Sequence, residues 1–389
     1  MEDFVPANEY SLDPFPHYAR MREAAPVFHD EQSGSWHVFR YDDVQQVLSE
    51  HARFSSRLGG NDPSETGQLF ASSLITTDPP RHRQLRSLVT QAFTPKAVEA
   101  IGPRISQLTE ELLDRIASRG TADLIQELAY PLPVIVISEL LGVPAHDRDL
   151  FKTWSDVIVS QTRSGATNEN HSLTNKEMTE YFLDLIAQRR HRPGADLISN
   201  LLLAEIDGQK LSVAELLGFC SLLLVAGNET TTNLIGNAVL CFTEVPGTIE
   251  RLLTEPSLLP QAIEEVLRFR SPVQSMYRVT VADTTLGEVR IPAGAPLVAW
   301  IGSANRDECQ FERPTQFDID RGQIRHLAFG HGIHFCLGAP LARLEAKIAL
   351  EASLSRLPGL TLAPGALLER MESTIVYGLK TLPARWQTA

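Results

Sequence analysis

Cys336 stands in Phe329-Gly-His-Gly-Ile-His-Phe-Cys-Leu-Gly-Ala-Pro340, where three glycines and one cysteine fall within ten residues, directly before a helical pattern. Glycine lets a backbone turn where side chains would clash. The spacing therefore predicts a tight loop that presents one sulfur at a helix start, where free N–H groups and the helix dipole favour a thiolate. A lone thiolate makes a poor structural zinc site, which takes four ligands. It makes a good axial ligand for haem iron, because it pushes electron density toward O–O cleavage. Two alternatives stand beside haem on these residues alone: a zinc site from His331, His334 and Cys336, with no evident fourth ligand, and a glycine-rich loop whose cysteine is incidental. Cys220, Cys241 and Cys309 read as small core hydrophobes or ordinary thiols. If one helix joins Cys220 and Cys241 they lie about 30 Å apart, beyond disulfide reach.

The second constellation is Leu222-Leu-Leu-Val-Ala-Gly-Asn-Glu-Thr-Thr-Thr-Asn-Leu234. Asn228, Glu229 and Thr230 to Thr232 interrupt an apolar helical run. A buried unpaired carboxylate is costly, and mid-helix threonines compete for backbone bonds. Leu223, Gly227, Thr230 and Leu234 share one face, and Ala226 and Gly227 leave room beside it. An adjacent acid and hydroxyl there can hold water and relay protons. The alternative is two helices split by a polar turn, with Glu229 in solvent. Two charge patterns are weaker. Glu265 and Arg268 lie at i and i+3, a spacing common in surface pairs of little worth. His82 and Arg86 lie at i and i+4 after Asp78-Pro-Pro, which reads alone as a basic solvated face.

These groups need elements to hold them. Helical periodicity predicts helices over 82–93, 95–119, 147–161, 175–190, 213–243, 260–270 and 340–354, with Asp42-Asp43 capping a short one through Leu48. Strands are expected at 27–28 and 36–39 as a hairpin, and at 278–281, 288–291, 297–301, 375–377 and 382–386. Residues 53–77 read as a long loop of the kind that often serves as a lid. No repeat or linker divides the chain. The expectation is one large helix-rich domain over residues 1–389, mainly α with a small β portion (α+β). The 389 residues carry 35 Lys and Arg against 48 Asp and Glu, a net charge of −13. That balance argues against nucleic-acid binding. The N-terminus lacks a signal-peptide pattern, and no apolar run reaches the roughly 20 residues a spanning helix needs. A cytoplasmic protein without a membrane anchor is expected.

Phe-Gly-x-Gly-x-His-x-Cys-x-Gly closely resembles the haem-binding signature of the cytochrome P-450 family. The Ala-Gly-x-Glu-Thr run resembles that family's central-helix motif, Glu265-Val-Leu-Arg268 its Glu-x-x-Arg motif, and His82 with Arg86 its His-x-x-x-Arg pair. Ala304-Asn-Arg-Asp307 and Phe317-Asp-Ile-Asp-Arg321 match the bacterial members, except that Glu308 replaces the usual proline. The resemblance spans the chain from Asp13-Pro-Phe-Pro16 to Trp386. It implies a cytochrome P-450 fold with haem b between the central helix and the cysteine loop.

Residue by residue, the resemblance makes Cys336 the axial iron ligand. Phe329 would pack near the sulfur, and Gly338 would let the next helix run close under the porphyrin. His82, Arg86, Arg278 and His334 would clamp the haem propionates. Glu229 and Thr230 would be the acid–alcohol pair, Thr230 hydrogen-bonding dioxygen or its water and Glu229 bringing protons from solvent. Glu265, Arg268 and Arg321 would form a buried network that holds the cysteine loop. The implied activity is monooxygenation, the insertion of one atom of O2 into an apolar small molecule by hydroxylation or epoxidation. Electrons would come from a ferredoxin and an NAD(P)H-dependent ferredoxin reductase, because the chain ends soon after the expected haem domain and leaves no fused reductase. An acidic ferredoxin needs a positive patch on a protein of net charge −13, and Arg325, Arg343 and Lys347 are the candidates. By position, Leu74, Leu223, Ala226, Val273, Met276, Ile375 and Val376 would line the substrate pocket. The alternatives are a peroxygenase or rearrangement enzyme of the same fold, which would leave Glu229 and Thr230 idle. A haem sensor or electron carrier, or a non-haem helical binding protein, is a more distant reading.

Overall fold

The computed structural model describes residues 13–57, 73–154, 157, 169–206 and 208–388. Its helices are α1 (Phe15–Ala24), α2 (Tyr41–Ser49), α3 (Arg81–Ala92), α4 (Pro95–Asp114), α5 (Pro131–Leu141), α6 (Glu169–His191), α7 (Leu197–Leu203), α8 (Val213–Glu244), α9 (Thr248–Thr254), α10 (Leu259–Phe269), α11 (Ile301–Ala304) and α12 (Ala339–Arg356). The strands are β1 (Val27–Asp30), β2 (Ser35–Val38), β3 (Phe54–Ser55), β4 (Thr121–Asp123), β5 (Met276–Thr280), β6 (Thr284–Leu286), β7 (Val289–Ile291), β8 (Pro296–Ala299), β9 (Thr361–Leu362) and β10 (Pro383–Arg385). They form a five-stranded sheet in the order β1-β2-β8-β5-β3, a three-stranded sheet β4-β10-β9 and a hairpin β6-β7. Among the described residues only the β2–β8 pairing is parallel.

α8 runs unbroken for 32 residues, so the two-helix alternative fails. It starts on a capping box in which the Ser212 hydroxyl accepts from the Glu215 N–H and the Glu215 carboxylate accepts from the Ser212 N–H. Glu215 also takes Arg81 in a two-pronged ion pair at 2.7 and 2.6 Å. That bond ties the start of α3, the helix of His82 and Arg86, to the start of α8. Two mid-helix threonines find partners: Thr230 Oγ1 donates to the Ala226 carbonyl at 2.7 Å, and Thr232 Oγ1 to the Ala129 carbonyl at 3.1 Å. The main core gathers α4, α5, α8, α10 and α12, and a second cluster packs α2 against the five-stranded sheet.

Several expectations change. Asp42 and Asp43 sit inside the first turn of α2, while Arg40 takes the cap position. Residues 53–77 hold β3 and a 3-10 turn at Leu74–Thr76, with 58–72 outside the described residues. The helix expected over 147–161 is helical at 148–154; beyond that point only residue 157 is described. Ile375 to Tyr377 is no strand. It reaches its neighbours through a single bridge, Val273 to Val376, and through backbone bonds such as Gln274 N–H to the Ile375 carbonyl at 2.7 Å. α8 is long and apolar enough to pass for a membrane span, but half of its most apolar stretch is buried inside the protein, as befits a core helix.

Candidate active site

The cysteine loop closes on itself through the Cys336 N–H, which donates to the Phe329 carbonyl at 2.8 Å. Gly332 has φ +70°, and a Cβ there would fall 2.8 Å from the Ser49 backbone. Only glycine lets the loop lie this close to α2. A Cβ at Gly338 would lie 3.9 Å from the Cys336 sulfur, so glycine keeps the space beside that sulfur clear. Cys336 is exposed to an internal cavity, not to the outer surface. Burial pushes its thiol above the ordinary range, while the N–H groups of Gly338 and Ala339 and the charges of Arg86 and Arg343 pull the other way. The N–H groups at the helix start thus favour the thiolate, as the sequence implies, but burial outweighs them. A bound metal cation would ionise it, because a coordinating thiol loses its proton outright.

The cavity holds about 1630 Å³ of space outside protein atoms, its mouth included. Cys336, Phe329, Gly338, Arg86, Arg278 and His334 line one part, and Thr230 and Ala226 come from α8. Leu74, Ile137, Leu140, Leu223, Val273 and Met276 add an apolar wall. Ile375 and Val376 are not among the lining residues. Val376 is buried and pairs with Val273, which does line the cavity, through an antiparallel bridge. Glu229 is buried beside Thr230 and is likewise not on the cavity wall.

Basic and imidazole groups from three distant segments meet at one end. The His82 and His334 rings lie 4.3 Å apart. His334 Nε2 is 2.9 Å from Ser56 Oγ, and Arg278 on β5 donates to the Tyr277 carbonyl at 2.7 Å. Burial, then the Arg86 charge, lowers His82 to about 4. Burial, then Arg278, lowers His334 to about 3. Burial lowers Arg278 to about 10. His82 Nε2 is buried with no hydrogen-bond partner. Among the described residues neither Arg86 nor Arg278 enters an ion pair, although Asp78 acts on Arg278 from a distance. Buried Arg278, half-buried Arg86 and an orphaned imidazole nitrogen on a cavity wall call for anionic acceptors. The two carboxylates of haem, with its iron at Cys336, fit this donor set.

The Glu265 network is buried and complete. Arg268 Nε and Nη2 donate to Glu265 at 2.8 and 2.7 Å, and Arg321 Nε reaches both Glu265 oxygens at 3.0 Å. Arg268 Nη1 also donates to the carbonyls of Asn305 and Pro314, and Nη2 to that of Gln316. The bland reading of this pair as a solvated surface bridge is thus overturned, since Glu265 and Arg268 have no exposed side-chain surface.

Three features escaped sequence reading. Asp78 accepts from the Ser56 N–H at 3.1 Å and also bonds Ser55, which sets Ser56 beside His334. Glu345 lines the cavity fully buried, with Oε2 unpartnered and its carboxyl raised to about 8 by burial alone. Arg343, expected as a surface cation, is bonded at both ends of its fork to Glu264. Asp78 and Glu264 had visible neighbours in sequence, Pro79-Pro80 and Glu265, but no spacing that named their partners.

The family model for cytochrome P-450 matches residues 25–383. The chain is 45% identical over 381 residues to cytochrome P-450 109 of Bacillus spizizenii, covering 96% of this chain and 92% of that one. It is 40% identical to the cytochrome P-450 monooxygenase PikC of Streptomyces venezuelae, covering 97% and 92%. The crystal structure of CYP109E1 from Bacillus megaterium in complex with testosterone superposes with a TM-score of 0.88 at 46% identity, covering 97% and 100%. A cysteine loop facing a threonine-bearing central helix across a large cavity agrees with these matches, and the chain belongs to the cytochrome P-450 family of haem-thiolate monooxygenases.

Proposed function

We propose that residues 1–389 form a single haem b-binding domain that hydroxylates or epoxidises an apolar small molecule in the cytoplasm. The observation that carries this reading is the placement of Cys336 and Thr230 on one cavity whose end gathers Arg86, Arg278 and His334 and whose wall is apolar. Cys336 would ligate the iron, and Arg86, Arg278, His82 and His334 would hold the propionates. When bound, haem supplies the reductive activation of dioxygen and the transfer of one oxygen atom to substrate. Thr230 offers its hydroxyl to the reacting oxygen, its Oγ1 standing 2.7 Å from the Ala226 carbonyl until called on. Glu229, buried one residue earlier, holds protons for that hydroxyl. Leu74, Leu223, Val273 and Met276 exclude water and orient the substrate by shape.

Electrons come in this reading from a ferredoxin and its NAD(P)H-dependent reductase. Arg325 and Lys347 are exposed and serve as docking cations, while Arg343 is engaged with Glu264. A relative binds testosterone, so steroids are the first ligands to test.

The experiment is spectroscopic. Purified protein reduced with dithionite under carbon monoxide should show the strongly red-shifted Soret band of thiolate ligation. Titration with testosterone should shift the ferric iron toward high spin, and turnover with ferredoxin, reductase and NADPH should add one oxygen atom from O2. A ferrous–CO band at the position of histidine ligation would overturn the assignment of Cys336.

A further inference from the structure

Glu264 and Glu265 are neighbours on α10, and each carboxylate joins two groups. Glu265 takes Arg268 and Arg321. Glu264 takes Arg343 of α12, Nε at 2.7 Å and Nη2 at 2.8 Å, and His326 Nε2 at 3.1 Å. The Ala328 N–H donates to His326 Nδ1 at 3.2 Å. Nδ1 thus faces a donor, and Nε2 faces the Glu264 carboxylate. Burial alone would raise the Glu264 carboxyl, but the bonds from Arg343 and His326 outweigh it and hold it at about 2. The Glu264 carboxylate thus stands directly against the Arg343 guanidinium, with His326 as its second partner.

The cluster touches the cysteine loop directly. The Arg343 guanidinium carbon lies 4.5 Å from the centre of the Phe329 ring, and the His326 ring lies 6.0 Å from the same ring. The Phe329 carbonyl accepts the Cys336 N–H at 2.8 Å. Arg343 is near enough for its charge to act on the Cys336 sulfur. His326 is almost wholly buried, whereas Glu264 and Arg343 keep 28% and 38% of their side-chain surface exposed.

The geometry points to Glu264 as a positioning residue for the cysteine ligand: it holds Arg343 over the Phe329 ring and opposes its charge, and so sets the electrostatic potential felt at Cys336. Hydrogen bonding and charge around an axial ligand are levers on haem potential. An ordinary half-exposed ion pair would contribute almost nothing measurable. This inference rests on the reading of Cys336 as the iron ligand.

The test is the reduction potential of the haem-loaded protein in four variants. Glu264→Gln leaves the Arg343 charge unopposed and should move the potential to more positive values. Arg343→Gln leaves Glu264 unopposed and should move it to more negative values. The double variant should return close to wild type, and Arg343→Lys, which keeps the charge, should stay close to wild type. The red-shifted ferrous–CO Soret band should persist in all four. Equal potentials throughout, shifts of the same sign in the two single Gln variants, or a shift in Arg343→Lys as large as in Arg343→Gln would overturn the proposal. If Arg343→Gln loads no haem, the Glu264→Gln and Arg343→Lys comparison still decides. Failure of the ligand assignment is separate, since it would appear as the absence of that Soret band in the wild-type protein.

Discussion

Cys336 carries a conflict between two effects. Burial raises its thiol, and the N–H groups of Gly338 and Ala339 lower it, with burial the larger. Cys336→Ser should abolish the red-shifted ferrous–CO band while far-UV circular dichroism stays strongly helical. Retention of that band would remove Cys336 from its role. Thr230 is a different kind of residue, because its hydroxyl is already satisfied by Ala226 and needs no ligand for stability. Thr230→Ala should keep haem and fold but divert electrons to peroxide. Positioned proton donors contribute about 10²–10⁴-fold, so product per NADPH consumed should fall by about tenfold or more. Unchanged coupling would show that the proton arrives by another route.

At the scale of elements, α10 works as a bracket. One of its carboxylates fixes the segment from Asn305 to Arg321, and the next reaches α12 and the loop before Cys336. The Arg268 side chain is wholly buried and makes five hydrogen bonds, two to Glu265 and three to backbone carbonyls. Replacing it by Met would strand those carbonyls and leave Glu265 only Arg321 as a cationic partner. Breaking a buried pair on one side costs about 3–5 kcal/mol. Arg268→Met should therefore lose most of its folded, haem-retaining fraction, read as the urea midpoint and as the ratio of Soret to protein absorbance. A midpoint within error of wild type would mean the network is dispensable. α8 acts as the opposite wall, and its capping box and the Arg81 ion pair align α3 with it.

For the molecule as a whole, pH acts through buried imidazoles. His37 packs against both Phe39 and Trp300, and the Trp300 Nε1–H donates to His37 Nδ1 at 3.0 Å. That bond requires a neutral ring. Burial lowers His37 to about 4 from 6.5. Above 6.5 the ring is neutral in both states and the full stability is present. As pH falls from 6.5 toward 4 the unfolded chain binds the proton first, so stability declines over that window. The urea midpoint should drop between pH 7 and pH 5, and His37→Gln should drop less over the same interval. A parallel drop in both proteins would place the acid sensitivity elsewhere, with His17, His82 and His334, also lowered by burial, the next to test.

The chain by itself determined what depends on neighbours in sequence. The glycines around Cys336, the i, i+4 spacing of His82 and Arg86 and the i, i+3 spacing of Glu265 and Arg268 follow from covalent spacing and helical period. The long helices at 213–244 and 339–356 are legible for the same reason. Tertiary structure decided which distant groups meet. It brought His82 against His334, joined Arg343 to Glu264 and paired Val376 with Val273. It also decided the balance at Cys336, because burial depends on what packs around a sulfur, while an N–H two residues away is present in any fold. Periodicity records which face of a helix is apolar. It does not record which other helix covers that face, and the charges that pair across such contacts carry no spacing of their own.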